Sequence, residues 1–183
     1  MLVALSGTPG TGKTTVSNLL RNKGYFIVDL NELAVERGFV TGIDAKRNTK
    51  IINIDGLNSF IKDFYKTNDI IFFEGHASHL LSIADYVIIL RCHPRKLKNR
   101  LQNKGWDQQK IKENVDAEAL DIILCEAFSL HSENHIFEID TSNKSINSVL
   151  SSIIEIVNGK FKLTKKYKIG KIDWSEEIIK DLE

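Results

Sequence analysis

Residues 1–15 read MLVALSGTPGTGKTT. Met1 to Leu5 is a short continuous apolar run closed by glycine and proline, the pattern of a strand buried on both faces. Gly7-Thr8-Pro9-Gly10-Thr11-Gly12-Lys13-Thr14 matches G-x-x-x-x-G-K-[ST] in full. Beyond it Val16, Leu19 and Leu20 recur at helical spacing and stop before Gly24. A strand, this loop and a helix, in that order, separate a phosphate-binding loop from a glycine-rich turn with a chance lysine.

Glycines at 10 and 12 let such a loop wrap closely, so that backbone N–H groups point inward at phosphate oxygens. The helix N-terminus adds a fixed partial positive charge. Lys13 is placed to reach β- and γ-phosphates, and the Thr14 hydroxyl to ligate Mg²⁺. Thr15 offers a further contact to the α-phosphate. ATP and Mg²⁺ are the ligands this motif implies.

Further along, apolar runs alternate with helical patterns. Tyr25–Val28, Ile70–Phe73, Tyr86–Leu90 and His135–Ile139 read as strands. Residues 30–37, 55–66, 95–104 and 145–157 read as helices, with Asp55 as a cap of the second. Residues 107–130 give one long amphipathic pattern, with Ile111, Val115, Ala119, Ile122, Ile123 and Phe128 near one stripe. VTGIDAKRNTKI, residues 40–51, reads as a polar connecting stretch. This alternation specifies a three-layer α/β sandwich around a mainly parallel sheet, in a single domain over residues 1–183. Ligands of such sheets bind outside the carboxyl ends of the strands, where Asp29, Glu74 and Arg91 stand.

The run IIFFEGHASH, residues 70–79, places a carboxylate and an imidazole at such an end. A nucleotide's Mg²⁺ needs a carboxylate on the strand beside the loop, commonly acting through water. Glu74 fits that role, and its length favours a water-mediated contact. Gly75 is read as keeping the backbone clear of phosphate. His76 either orients the attacking group or serves as a hydrogen-bonded structural histidine. His76 and His79 form an H-x-x-H pair without further ligands, which argues against structural zinc.

The bulk composition bounds the remaining possibilities. With 42% hydrophobic and 27% charged residues and a formal net charge of +1, no global field draws this chain to nucleic acid or an anionic membrane. No run approaches the ~18 apolar residues of a membrane span. Cys92 and Cys125 lack metal-type spacing and read as reduced, mostly buried thiols of a cytoplasmic protein. Asn143-Lys144-Ser145-Ile146 lacks the aspartate of a guanine-reading N-K-x-D, which disfavours a GTPase. Of 25 Lys+Arg only residues 21, 37, 47, 91, 95 and 100 are arginine. Since arginine offers a rigid fork for phosphate, Arg91 at a strand end is a candidate clamp. Arg95 and Arg100 follow, with Arg95 open between a phosphate role and a solvated helix face.

The run LRCHPRKLKNRLQNKGWDQQKIKENVDAEALDIILCEA, residues 90–127, resembles the lid and following helix of the archaeal adenylate kinase family. That family also includes the eukaryotic nuclear adenylate kinase isoenzyme six, a small-subunit ribosome maturation factor. GTPGTGKTT, Glu74-Gly75-His76 and Asp173-Trp174-Ser175 fit the same family, so the resemblance covers essentially the whole chain.

The resemblance implies a P-loop nucleoside monophosphate kinase fold with a five-stranded parallel sheet. It implies a monophosphate-binding insert at about residues 30–53 and a short lid at about 103–113. The implied activity is transfer of the ATP γ-phosphate to AMP or a similar monophosphate, with accompanying ATPase activity. It also implies late maturation of small-subunit rRNA through a small-subunit ribosomal platform protein. In the insert, Asp29 and Arg47 are the candidate acceptor-binding residues, Arg47 otherwise being an exposed loop charge. Lys104-Gly105-Trp106 stands where the family lid usually carries Arg-Gly-Trp or Arg-Gly-Tyr. Lys104 keeps the charge over ATP and loses the bidentate fork, a task Arg100 could share. Glu74 stands where the eukaryotic members carry Asp, a departure shared with archaeal members.

Residues 160–171, KFKLTKKYKIGK, precede an acidic amphipathic end, DWSEEIIKDLE. Lysines interleaved with Phe161 and Tyr167 can hold single-stranded RNA. Their local alternation favours instead a half-buried edge strand, with Trp174 anchoring the last helix. Two functional readings follow. One is a kinase in which Lys13, Arg91 and Mg²⁺ stabilise the transferring charge. The other is an ATP-driven assembly module, in which His76 positions water for hydrolysis.

Overall fold

In the computed structural model of this chain, residues 1–44, 49–65, 69–162 and 165–180 are described. From the N-terminus run β1 (Leu2–Ser6), α1 (Lys13–Asn22), β2 (Phe26–Asp29), α2 (Leu30–Glu36), β3 (Val40–Asp44), β4 (Thr49–Ile52) and α3 (Ile54–Phe64). β5 (Ile71–Glu74), β6 (Tyr86–Arg91), α4 (Pro94–Asn103), α5 (Gln108–Ala119), α6 (Ile122–Leu130), β7 (Ile136–Asp140), α7 (Ile146–Asn158) and α8 (Ser175–Lys180) follow. β1, β2, β5, β6 and β7 form a parallel sheet of order β2-β5-β1-β6-β7.

The strands are apolar throughout because helices cover both faces. Val3 and Leu5 of β1 point to one side, joining Phe72, Ile88, Leu90 and Phe137 against Val16, Leu20, Val149 and Ile153 of α1 and α7. Ala4 points to the other, with Phe73, Val87 and Ile89 against Leu57 and Ile61 of α3 and Ala127 of α6. The period-two alternation thus divides each strand between two cores. The chain crosses to the opposite side of β1 after β5, so the carboxyl ends of β1, β5 and β6 flank one crevice.

Several boundaries depart from expectation. The long pattern over 107–130 is two helices, broken at Leu120–Asp121, where Asp121 takes φ 55. Its stripe serves two surfaces: Ile111 and Val115 pack on α4, and Ile123, Leu124 and Ala127 on the sheet. A carboxylate–guanidinium contact from Asp121 to Arg91 holds the break. Residues 40–52 contain an antiparallel hairpin, β3–β4, where a polar connection was expected. Its signal is the alternation in VTGID.

Asn53, and not Asp55, caps α3, accepting from Gly56 N at 2.9 Å. The tail forms turns, and no edge strand appears among its described residues. Phe161 and Tyr167 are nonetheless buried against the core, and Glu138 N donates to Tyr167 O at 3.0 Å. Cys92 is buried, whereas Cys125 is exposed, contrary to the expected pair of buried thiols. Among the described residues no helix is long and apolar enough to cross a membrane.

Candidate nucleotide site

The loop after β1 owes its shape to its first glycines. Gly7 has φ 141, and a Cβ there would lie 2.4 Å from Leu90 O, so no other residue fits. Gly10 has φ 95 and faces Leu97 and Leu101 of α4. Gly12 takes a left-handed conformation directly before α1 and leaves the helix N-terminus without a side-chain cap. Those free amides are what an anion at this position would bond.

Lys13 is buried, and its ammonium donates to Gly7 O at 2.6 Å and to Thr8 O at 3.2 Å. Burial lowers its pKa to about 8, opposed by the nearby carboxylates of Glu74 and Glu118. The Thr14 hydroxyl donates to Glu74 Oε1 at 3.3 Å, and Thr14 and Thr15 are both exposed at the start of α1. Thr14 Oγ1 and one Glu74 oxygen suit a hard cation such as Mg²⁺, which fills its remaining positions with water and phosphate oxygens. Burial pushes the Glu74 carboxyl above the usual carboxylate range, with the charge of Lys13 pulling the other way.

Asp29 pairs in register with Glu74 across β2 and β5. Its Oδ1 caps α2, accepting from Asn31 N at 2.8 Å and Glu32 N at 3.1 Å. Gly75 does not face the phosphate loop; a Cβ there would lie 3.3 Å from Leu30 Cβ, so its smallness serves α2 packing. His76 is exposed beside this cluster, its pKa lowered first by partial desolvation of its ring and then by the Lys13 charge. His79 is turned inward: Nδ1 lies 2.9 Å from Ser6 Oγ and Nε2 2.8 Å from Glu126. Both of its ring nitrogens are engaged, so His76 and His79 form no metal chelate. Arg47 lies outside the described residues.

Arg91 is not presented to the loop as a phosphate clamp. Its side chain is 2% exposed and contacts the carboxylates of Glu118, Asp121 and Glu138. Three buried or half-buried carboxylates offer a guanidinium more than an open cleft would, and they raise its pKa against burial. The arginine at the loop is Arg100. It donates to Thr141 O at 2.7 Å, Thr141 Oγ1 at 3.1 Å and Gly10 O at 3.4 Å. Arg95 lies away on α4, 68% exposed, and pairs with Glu177 of α8 at 2.6 Å. Trp174 packs against His93, ring centres 4.8 Å apart.

A cleft of about 440 Å³ opens beside the loop, lined by Gly10, Gly12, Thr15, Arg100, Lys104 and Lys144, among others. Lys104 ends α4, and its charge further lowers the Lys13 pKa. Gly105 follows at φ 73, with Trp106 N returning to Leu101 O at 3.3 Å, a left-handed helix stop. Trp106 then covers a small core of Leu97, Leu101 and Ile111, with the Lys110 ammonium 4.8 Å from its ring centre. Chemically, the cleft offers loop residues and three cationic side chains, and the Thr14–Glu74 pair stands at the start of α1 outside its lining, a set suited to a triphosphate with a divalent cation.

Sequence reasoning missed Thr8, Glu118 and Thr141. Only the Thr-x-x-x-x-Lys spacing marks Thr8, and nothing local distinguishes Glu118 from the other acids of residues 113–126.

The model of an AAA domain matches residues 3–121. A protein of Archaeoglobus fulgidus named "Putative adenylate kinase" is 42% identical over 178 residues, covering 97% of this chain and 94% of its own. Its namesakes in Methanosarcina barkeri and Methanocaldococcus jannaschii are 41% and 36% identical, each again covering 97% of this chain and 100% and 94% of their own. Shikimate kinase of Acinetobacter baumannii, solved with shikimate, superposes with TM-score 0.60 at 15% identity, over 87% of this chain and 93% of its own. Deoxyadenosine kinase of M. mycoides superposes with TM-score 0.55 at 16% identity, over 87% and 100%. These two likenesses concern the fold.

Proposed function

Since this chain belongs to the archaeal adenylate kinase family, we propose that it transfers the γ-phosphate of ATP to AMP or a similar nucleoside monophosphate, yielding two diphosphates. The observation that carries this reading is the pairing of Thr14 with Glu74 at 3.3 Å, directly beside the buried Lys13. A hydroxyl–carboxylate pair next to an ammonium is the set that a magnesium-bound triphosphate calls for, which is what supports the reading.

In this reading the amides of residues 10–15 and Lys13 hold the triphosphate. Thr14 and Glu74 hold Mg²⁺, which when bound neutralises charge on the β- and γ-oxygens. Lys104 and Arg100 neutralise the outer phosphate face from α4 and, as the lid over residues 103–113 closes, exclude water. The acceptor enters beside Asp29 and the insert over residues 30–53, with Arg47 on its phosphate. His76 faces the gap between donor and acceptor. No general base is required, because the attacking oxygen is already anionic.

An accompanying ATPase activity, a cytoplasmic location, and a role in small-subunit rRNA maturation through a ribosomal platform protein belong to the same proposal. They rest on the family resemblance. The exposed lysines of residues 160–171 add a surface on which RNA could be held by charge.

A coupled assay of ADP formed from ATP, with and without AMP, tests the reading. The expected result is two ADP for each AMP consumed, well above the rate with ATP alone. ADP formation indifferent to AMP would remove the kinase role and leave the hydrolytic one.

A further inference from the structure

The phosphate loop and the helix that follows the lid region meet at one buried carboxylate. Glu118 stands in the last turn of α5 with its side chain 2% exposed. Its Oε2 accepts the Thr8 hydroxyl. Its Oε1 accepts from Arg91 Nε at 2.8 Å and from Cys92 N at 3.0 Å. Arg91 also donates to the Glu118 carbonyl at 3.2 Å, while its other nitrogens contact Asp121 and Glu138. A planar guanidinium held by three carboxylates has little freedom, so it aims Glu118 rather than following it.

Thr8 is the other end of this chain of contacts. Its carbonyl accepts from Thr11 N at 3.2 Å, Thr11 Oγ1 at 2.9 Å and Lys13 Nζ at 3.2 Å. Lys13 thus donates to two neighbouring carbonyls, Gly7 O at 2.6 Å and Thr8 O at 3.2 Å, and the second belongs to the residue whose hydroxyl Glu118 holds.

We propose that Glu118 is a positioning residue for ATP: through Thr8 it fixes the first turn of the phosphate loop, and Arg91 fixes Glu118. Loop amides and ammonium then stand in register before the triphosphate arrives, and less ordering is left to be done on binding. The link also ties the loop to the helix that carries part of the lid. The charge of Glu118 acts on the same lysine, opposing the fall of its pKa caused by burial. The proposal rests on the kinase reading only in taking ATP as the ligand of the loop.

The test is calorimetric titration of the full chain with MgATP, supplied as a non-hydrolysable analogue, and separately with AMP, so that no phosphoryl transfer occurs. Thr8→Val, Glu118→Gln and the double variant are compared with the wild type. Each single change is expected to weaken MgATP about tenfold, the size of one charge-assisted hydrogen bond, and to leave AMP unchanged. The double variant should bind no more weakly than the weaker single, because both changes break one link. A merely structural role would lower melting temperature without changing ATP affinity per folded molecule. Thr8→Val that melts cooperatively and binds MgATP like the wild type overturns the proposal, even if Glu118→Gln fails to fold. So does additivity of the two effects. A kinase assay that fails while these binding results hold would remove the proposed function and leave the positioning role intact.

Discussion

Lys13 is a charge held where charge is disfavoured. Burial brings its pKa from 10.5 to about 8. The folded value being the lower, the unfolded chain holds the extra proton between about pH 8 and the ordinary lysine range, and stability from this group rises with pH across that window. Below about pH 8 the lysine is charged in both states, and the cost of burying it is fully present. Binding is expected to run the opposite way, since in the proposed function the ammonium holds the triphosphate. Calorimetry from about pH 7 to about pH 9.5 should show ATP affinity falling through about 8, and Lys13→Met should bind weakly without that slope. Glu74 is the proposed cation-holding group. Burial raises its carboxyl pKa, so activity measured against pH is expected to fall on the acid side at a pH above the ordinary carboxylate range. Glu74→Gln should lower kcat about a hundredfold or more, with partial recovery at raised magnesium, because a neutral amide holds the cation poorly. Turnover unchanged at ordinary magnesium would remove Glu74 from the metal site.

At the scale of elements, the proposed cover over ATP falls to α4 and the turn after it. Pro94 opens α4, Arg100 and Lys104 point from its end toward the cleft, and Gly105 stops it. A lysine at 104 offers charge without a fixed fork. Lys104→Arg is expected to lower KM for ATP a few-fold, roughly the difference between a point charge and a bidentate contact, with KM for AMP unchanged. An unchanged KM for ATP would place residue 104 outside the lid contact. The break between α5 and α6 has an electrostatic cause. Arg91 gathers Glu118, Asp121 and Glu138 from α5, the α5–α6 junction and β7. One arginine thereby holds α5, the sheet and, through the Gly170 N–H donated to Glu138 at 2.9 Å, the tail.

For the whole molecule, the parallel sheet fixes which residues can meet. The strand order brings the ends of β1 and β5 side by side, so Thr14 and Glu74 meet in one hydrogen bond. Saturating MgATP binds only the folded state. At about a hundred times Kd it should add about 2.7 kcal/mol of stability and raise Tm by roughly 5–10 °C for a chain of this size. Differential scanning calorimetry checks this, with Lys13→Met as the variant that should show little shift. A full shift in that variant would move ATP binding away from the loop.

The local code of this chain settled a good deal. Continuous apolar strands alternating with helices specified the layered parallel sheet, because strands buried on both faces leave no other covering. The loop Gly7–Thr14 declared its ligand class, because glycine spacing, lysine and hydroxyl act within one turn of chain. The position of Glu74 beside the loop was legible from its place at the end of an apolar strand. Tertiary structure alone decided what Arg91 does: a strand-end arginine looks the same in sequence whether it meets phosphate or carboxylates. Glu118 and Glu138 lie 27 and 47 residues from it in the chain. It likewise decided the α5–α6 break and the Thr8–Glu118 contact, 110 residues apart. Periodicity and spacing report what neighbouring residues share, whereas the partner of a buried charge is chosen by the packing of distant elements.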